Sequence, residues 1–175
     1  MSITGDIRSA PLRIGYPVCD TIGGLTAAFA VCAELLRART TGQGSFVDVS
    51  MLDATLATMG WVVSNYLNAD VVPVPMGNDN FTAAPSGTFR TGTGLLNIAA
   101  NEQRQFFALC GAIGAPELAT DLRFAGREAR KRHRAELTAA LEAKLAARPA
   151  EEWEELLVAA GVPAGGWVLT TCRSV

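Results

Sequence analysis

One carboxylate, that of Asp20, lies in a sequence pattern that would suit a nucleophile. Asp20 precedes an apolar stretch with helical spacing, and Gly23 and Gly24 follow it closely. A carboxylate near a helix start is stabilised by the free amide groups and by the dipole there. The two glycines leave space for an acyl group and could offer backbone amides to an oxyanion. The pattern is compatible with a carboxylate that accepts an acyl group, but taken alone it favours an ordinary helix-capping aspartate.

Glu102, His133 and the basic residues around His133 are weaker candidates for a chemical role than Asp20. Glu102 opens a predicted helix, where a first-turn carboxylate is common for purely structural reasons. His133 is the single histidine, and it lies in a basic run over residues 127–134 that is typical of a solvated helix face. The arginines of that run could meet phosphate groups of a ligand, or they could simply form a charged surface.

The cysteines do not form a recognisable metal site. Cys19, Cys32, Cys110 and Cys172 are far apart and include no C-x-x-C pair. With a single histidine in the chain, a zinc site is not expected, and the wide spacing does not suggest a disulfide framework. We therefore expect buried free thiols in a reducing cytoplasm.

Composition excludes several classes of protein. Hydrophobic residues make up 49% of the 175 residues and charged residues 18%, which is enough apolar material for a folded core. The net charge of -2 does not favour nucleic-acid binding. The most apolar stretch, Ile22–Leu36, has about 15 residues and contains Glu34, so it is too short to span a bilayer. Met1–Arg13 lacks the features of a signal peptide. A cytoplasmic protein away from membranes is expected.

The first 68 residues show the alternation of strands and helices that is typical of α/β proteins. Spacing predicts strands at Pro11–Val18 and Phe46–Ser50. It predicts helices at Thr21–Arg39 and Met51–Leu67. Residues 1–68 are therefore predicted to be a strand-helix-strand-helix part of a large α/β domain that carries Asp20.

The second half predicts a small α+β domain. Residues 69–86 contain three prolines and a polar Gly-Asn-Asp-Asn run, which indicates a linker. Residues 87–175 then begin with a hairpin, whose strands Gly87–Arg90 and Leu95–Ala100 flank a glycine-rich turn. The predicted helices cover residues 102–113, 116–122, 127–147 and 149–160.

The aspartate, the helix after it and two later phrases occur in a distinctive order. The phrase "PVCDTIGGLTAAFAVCAELLRARTTGQG" leads into "VDVSMLDA", and "NADVVPVPMGNDNFTAAPSGTFRTGTG" follows after a helix. Over about residues 1–166 the chain resembles the family III CoA-transferases. That group includes formyl-CoA transferase, carnitine CoA-transferase and α-methylacyl-CoA racemase.

The resemblance implies roles for individual residues. Asp20 matches the family's catalytic aspartate, so it is expected to attack an acyl-CoA thioester, giving a mixed anhydride and then an enzyme-bound CoA thioester. Gly23 and Gly24 are expected to lie against the bound substrate or CoA. Glu102 matches a glutamate that the racemase branch places near its active site. Residues 77–87 correspond to a loop that covers the aspartate in formyl-CoA transferase, unless they serve only as a domain linker.

The resemblance also implies properties of the whole protein. CoA or acyl-CoA is expected as a ligand, with no metal and no cofactor beyond the CoA of the substrate. Family members form interlocked dimers, so a homo-oligomer is expected. Members are also substantially longer. The chain is therefore expected to be a fragment that lacks the N-terminal nucleotide-fold half and the C-terminal segment that returns to the large domain.

Three functions follow as alternatives. The first is acyl-CoA:carboxylate CoA transfer through Asp20. The second is an isomerase of the racemase type, although its usual histidine would lie upstream of the aspartate. The third is a folded, non-catalytic fragment that binds a partner or oligomerises, because exposed apolar patches tend to self-associate.

Overall fold

The computed structural model of the protein describes residues 3–166. Within that range it contains eight α-helices and a three-stranded antiparallel sheet, so the chain mixes helices and strands as the sequence predicts. The chain divides into two compact units, Met1–Gly77 and Asn78–Val175. The division falls inside the predicted linker of residues 69–86. The predicted domain limits, 1–68 and 87–175, remain a prediction.

Three helices form the regular structure described in the first unit. They are α1 (Val18–Thr41), α2 (Met51–Thr58) and α3 (Gly60–Ala69). α1 ends at Gly42, which has a φ of 71° and donates its amide to the carbonyl of Ala38 at 2.8 Å. Glycine reaches this left-handed conformation without the steric cost of a side chain. The predicted end of the helix near this glycine is therefore confirmed.

The two strands predicted for the first unit, Pro11–Val18 and Phe46–Ser50, are wrong. Neither segment pairs with a strand within the described residues 3–77. A β-strand is stabilised by hydrogen bonds to a neighbouring strand, so an alternating pattern alone does not form one. The predicted helix Met51–Leu67 is also interrupted, because Met59 ends α2 and precedes α3. Only the helices of the predicted strand-helix-strand-helix unit are present in this part of the chain.

α1 exposes a large apolar surface. Gly23 is the one buried residue in this helix, and the exposed fractions are 68% for Leu25, 79% for Phe29 and 69% for Leu36. By length and composition the 24-residue helix could cross a membrane, which corrects the argument from the shorter run Ile22–Leu36. A single helix of this kind is weak evidence for a membrane span, because a core helix of a water-soluble protein passes the same test of length and composition.

The sheet belongs to the second unit and contains one strand that the sequence did not indicate. β1 (Ser86–Arg90) and β2 (Leu95–Ala99) form the predicted hairpin, with Phe89 opposite Leu96. β3 (Ala164–Gly166) pairs antiparallel with the other edge of β2. Its three small residues have no alternation of polar and apolar side chains, so no periodic signal could predict it.

The helices of the second unit follow the prediction with one break. His133 divides the predicted helix 127–147, and no glycine or proline marks this position in the sequence. The remaining helices lie within two residues of their predicted bounds. Within residues 78–166 the helices are α4 (Gln103–Ala112), α5 (Pro116–Thr120), α6 (Arg127–Arg132), α7 (Arg134–Leu145) and α8 (Ala150–Ala159).

A single hydrophobic core joins the sheet and the helices of the second unit. Side chains of the hairpin pack against α4, α7 and α8, and burial of each large apolar side chain contributes about 1.5–3 kcal/mol. The largest of these buried residues are Phe89, Leu96, Ile98, Phe106, Leu109, Ile113, Leu118, Phe124, Leu137, Leu141, Leu145, Trp153 and Leu157.

The turn of the hairpin is held against the end of α7. The amide of Gly92 donates to the carbonyl of Arg148 at 2.8 Å and to that of Leu145 at 3.2 Å. The indole Nε1 of buried Trp153 donates to the same Leu145 carbonyl at 2.8 Å. One carbonyl oxygen at the C-terminus of α7 therefore connects the hairpin turn and α8.

Candidate functional site

Asp20 lies inside the first turn of α1 and not at its cap. The helix begins at Val18, and its N-cap is Pro17, which has no side chain that can accept a hydrogen bond. The predicted capping position of Asp20 is therefore wrong by three residues. Its carboxylate is exposed and still lies where the helix dipole favours a negative charge. The structural alternative for Asp20 is therefore a first-turn carboxylate that stabilises the helix start, and not an N-cap.

The amide donors nearest Asp20 belong to the helix start itself. The amides of Val18 and Thr21 donate to carbonyls just before them in the chain. Within residues 3–166, the amides of Cys19 and Asp20 have no backbone acceptor. The first amides of a helix are the ones left free to bind an anion, because later amides bond within the helix. A developing oxyanion at this helix start would therefore meet the amides of Cys19 and Asp20.

Gly23 and Gly24 differ in their surroundings, and neither is placed to offer a free amide, because both lie within α1. A Cβ on Gly23 would lie 2.9 Å from Cγ of Met51, so this glycine permits close packing of α2 on α1. A Cβ on Gly24 would meet nothing within 4 Å. The space that the sequence predicts beside Asp20 is found at Gly24, while Gly23 has a packing role. Their contact with substrate remains a prediction.

A surface depression precedes α1 in the chain. It is lined by consecutive residues 13–17, which include the cation Arg13 and the aromatic ring of Tyr16. Tyr16 is 58% exposed, so the depression opens to solvent.

Glu102 is the N-cap of α4 in the second unit. Its amide donates to Oε1 of Gln105 at 2.9 Å, and its carboxylate pairs with Nε of Arg104 at 2.7 Å. Both partners of this ion pair are well exposed, so the pair contributes little to stability. These contacts fit the structural interpretation of Glu102. The catalytic role implied by the racemase branch remains a prediction.

The structure describes three cysteines and the single histidine. Cys19 and Cys32 are exposed, which contradicts the expectation of buried thiols, whereas Cys110 is buried. Burial raises the pKa of the Cys110 thiol to about 11, so it stays protonated and unreactive near neutral pH. Nδ1 of His133 lies 2.7 Å from a carboxylate oxygen of Glu136. Within residues 3–166, no cluster of His, Cys, Asp or Glu could hold a metal.

The sequence interpretation missed Arg130. The basic run 127–134 was expected to form a solvated face or to meet a ligand's phosphates, but Arg130 is 1% exposed. A signal for this was available, because Arg130 and Arg134 extend the same helical spacing as Leu137 and Leu141. The inward-facing stripe of α7 therefore continues into the basic run.

Comparisons with known proteins agree on one family. The family model described as CoA-transferase family III matches residues 1–170. The acetyl-CoA:oxalate CoA-transferase of Acetobacter aceti is 35% identical over 166 residues, which are 94% of this chain and 43% of the relative. The succinyl-CoA:glutarate CoA-transferase of Mus musculus is 32% identical over 165 residues, which are 94% of this chain and 38% of the relative.

A solved structure gives the same result. A CaiB/BaiF family protein from Brucella suis matches with a TM-score of 0.77 and 33% identity, over 94% of this chain and 44% of that one. This chain spans about two fifths of the length of the curated relatives it matches. Sequence and fold agree over nearly all of its residues, and the chain belongs to CoA-transferase family III.

Proposed function

We propose that the protein transfers CoA from an acyl-CoA to a carboxylate acceptor, with Asp20 as the nucleophile. The observation that carries the proposal is the exposed carboxylate of Asp20 in the first turn of α1, with an open side at Gly24. The amides of Cys19 and Asp20, which have no backbone acceptor within residues 3–166, lie at the same helix start. The relatives that match most of this chain are named as CoA-transferases. Apart from the CoA of the substrate, no cofactor is required.

The proposed chemistry divides one acyl transfer into balanced steps. An oxygen of the Asp20 carboxylate attacks the thioester carbonyl, and the carbon–sulfur bond breaks to release CoA thiolate and leave a mixed anhydride. The thiolate then attacks the aspartyl carbonyl, which releases the first carboxylate and forms an aspartyl-CoA thioester. The acceptor carboxylate attacks that thioester, which releases CoA thiolate and forms a second mixed anhydride between Asp20 and the acceptor. The thiolate then attacks the acceptor carbonyl of this anhydride, which forms the new acyl-CoA and releases the Asp20 carboxylate. We expect the amides of Cys19 and Asp20 to stabilise the tetrahedral oxyanions.

Calorimetric titration tests the proposal at the level of binding. We expect acetyl-CoA and CoA to bind with dissociation constants between about 1 μM and 1 mM, the range usual for enzyme substrates. ATP serves as the control ligand, because it shares the adenine nucleotide but lacks the pantetheine thiol. Absence of heat with both CoA ligands, or equal binding of ATP, would count against the proposal.

The isomerase alternative makes a different prediction in the same preparation. An isomerase would exchange the α-proton of a 2-methylacyl-CoA with deuterium from heavy water, whereas CoA transfer leaves that carbon–hydrogen bond intact. Mass spectrometry of the recovered acyl-CoA distinguishes the two. Deuterium incorporation without acyl transfer would favour the isomerase.

We also propose that the apolar surface of α1 is covered by another copy of the chain. Leu25, Phe29 and Leu36 are all more than two thirds exposed, and exposed apolar patches of this kind mark interaction surfaces. A protein partner is favoured over lipid because Asp20 and the pair formed by Glu34 and Arg37 also lie on this helix. A cytoplasmic location, expected from the sequence, is part of this proposal.

Light scattering measures the expected association. We expect a homo-oligomer at micromolar concentration, and we expect the Leu25→Gln, Phe29→Gln double variant to dissociate, because it removes apolar area at the proposed contact. Phe107→Gln is the matched control, since Phe107 is an exposed aromatic residue of the second unit. A clean monomer, or pelleting of the protein with phospholipid vesicles, would contradict the proposal.

A further inference from the structure

Three arginines on one side of α6 and α7 donate hydrogen bonds to a single short segment of backbone. Arg127, Arg130 and Arg134 are spaced by three and four residues, and their acceptors are carbonyl oxygens of residues 80–84. Arginine suits this arrangement because its planar guanidinium has several donors at fixed angles. The bonds join Arg127 Nε to Thr82 O (2.9 Å), Arg130 Nε to Ala84 O (2.7 Å), and Arg134 Nη2 to Asn80 O (2.6 Å) and Ala83 O (3.0 Å).

Arg130 is a buried cation whose described partners are neutral. Its Nη1 also donates to Oε1 of Gln103 at 2.8 Å and to the carbonyl of Phe124 at 3.0 Å. Its guanidinium lies 4.4 Å from the ring centroid of Phe106. Within residues 3–166, no carboxylate forms an ion pair with it. Burial lowers the pKa of Arg130. Carbonyl dipoles and the face of an aromatic ring stabilise the positive charge of its guanidinium.

A buried cation of this kind is poorly explained by stability alone. Removing a charge from water is costly, and an apolar side chain of similar volume is often at least as stabilising. What the guanidinium adds is geometry, because it connects three separate segments through directed hydrogen bonds. Those segments contain Ala84, Gln103 and Phe124. The arrangement therefore indicates that these hydrogen bonds hold residues 80–84 in one position against the second unit.

The held segment lies directly after the boundary between the two units. On the first-unit side, the amide of Gly77 donates to the carbonyl of Gly5 at 2.7 Å. On the second-unit side, the amide of Asn80 donates to the carbonyl of Ser86 at 3.0 Å, and its own carbonyl accepts from Arg134. Only residues 78 and 79 lie between these two fixed points. The backbone of each unit is thus held almost up to the boundary.

We propose that Arg127, Arg130 and Arg134 form an arginine clamp that fixes residues 80–84 to the second unit. The connection between the units is then a short joint between Gly77 and Asn80 instead of the long flexible linker that the prolines and polar residues suggest, and Arg134 also pairs with Asp79 within it at 3.6 Å. The clamp sets where the chain that leaves the Asp20-bearing unit enters the second unit. This inference rests on contacts within the second unit and does not depend on the proposed chemistry.

Residue-resolved amide hydrogen exchange tests the clamp. The reporters are the amides of Asn80, which donates to Ser86, and Thr82, which donates to the side chain of Asn80. The reference is the amide of buried Val162, far from the clamp in sequence. In the double variant Arg127→Gln, Arg134→Gln we expect both reporters to exchange about tenfold faster or more relative to Val162, because bonds to charged donors are lost.

Two further variants make the test specific. Arg132→Gln changes an exposed arginine of the same helix and should leave all three amides unchanged. Arg130→Gln should accelerate the reporters further, and the double variant still decides the question if this change prevents folding. Unchanged reporters in the double variant would overturn the clamp. Equal acceleration of Val162 would also overturn it, because the arginines would then act only on global stability.

Discussion

Replacement of Asp20 by Asn should abolish acyl transfer while leaving the fold intact. The amide has nearly the same shape as the carboxylate, but it cannot act as the nucleophile that forms the anhydride. We expect turnover of acetyl-CoA with a carboxylate acceptor to fall by at least about 1,000-fold. Asp20 is exposed and makes no described side-chain hydrogen bond, so the thermal transition should fall by only a few degrees, through the lost interaction of its charge with the helix dipole.

The covalent intermediate gives a second readout for Asp20. Hydroxylamine intercepts aspartyl anhydrides and thioesters, and peptide mass spectrometry should then find a hydroxamate at Asp20 after incubation with acetyl-CoA. Asp53→Asn is the matched control, because Asp53 is also an exposed carboxylate in the first turn of a helix of the same unit. Undiminished trapping in the Asp20→Asn variant would assign the chemistry elsewhere.

Replacement of Gly92 by Ala should destabilise the second unit by roughly 2–4 kcal/mol. An added Cβ would lie 2.7 Å from the carbonyl oxygen of Ala146 and 2.9 Å from that of Arg148. Both atoms belong to backbone and cannot move aside as a flexible side chain would. The turn would have to withdraw, which breaks the bonds from the Gly92 amide to Leu145 and Arg148.

Urea unfolding measures the effect of Gly92→Ala, with Gly111→Ala as the matched control. Gly111 lies in α4, and a Cβ there would meet nothing within 4 Å. Alanine favours a helix, so the control should be more stable by about 0.5–1 kcal/mol. The two substitutions are therefore expected to shift the midpoint in opposite directions. Equal midpoints would mean that the turn adapts without cost.

The second unit could largely be predicted from the sequence because the residues that define each of its helices and strands lie close together in the chain. The hairpin Ser86–Ala99 has its turn and both strands within one stretch, and α4 and α8 begin and end at local signals. Hydrophobic periodicity and turn-forming residues can both be recognised within a short segment, and these segments contain both signals. β3 escaped prediction because its backbone pairs with a strand more than sixty residues earlier.

The first unit was predicted less well for the opposite reason. The segment Phe46–Ser50 has the alternation of a strand, but a strand also needs a partner, which local pattern does not supply. The start of α1 was predicted three residues too late. Its N-cap, Pro17, has no polar side chain, whereas Asp20 is of a residue type that commonly caps helices, so the helix was predicted to begin after Asp20. Asp20 was selected by its residue type and by the family phrase around it, and its catalytic role remains a prediction.

The attachment of the hairpin turn to α7 also limits how the protein can be modified. A tight turn between two strands is ordinarily the place where an affinity tag, a fluorophore or an inserted domain does least harm. Here the turn at Gly92 shares the Leu145 carbonyl with Trp153, so an insertion would separate three elements at once. The connection around Leu122, which is 88% exposed between α5 and α6, is the better site for such a graft.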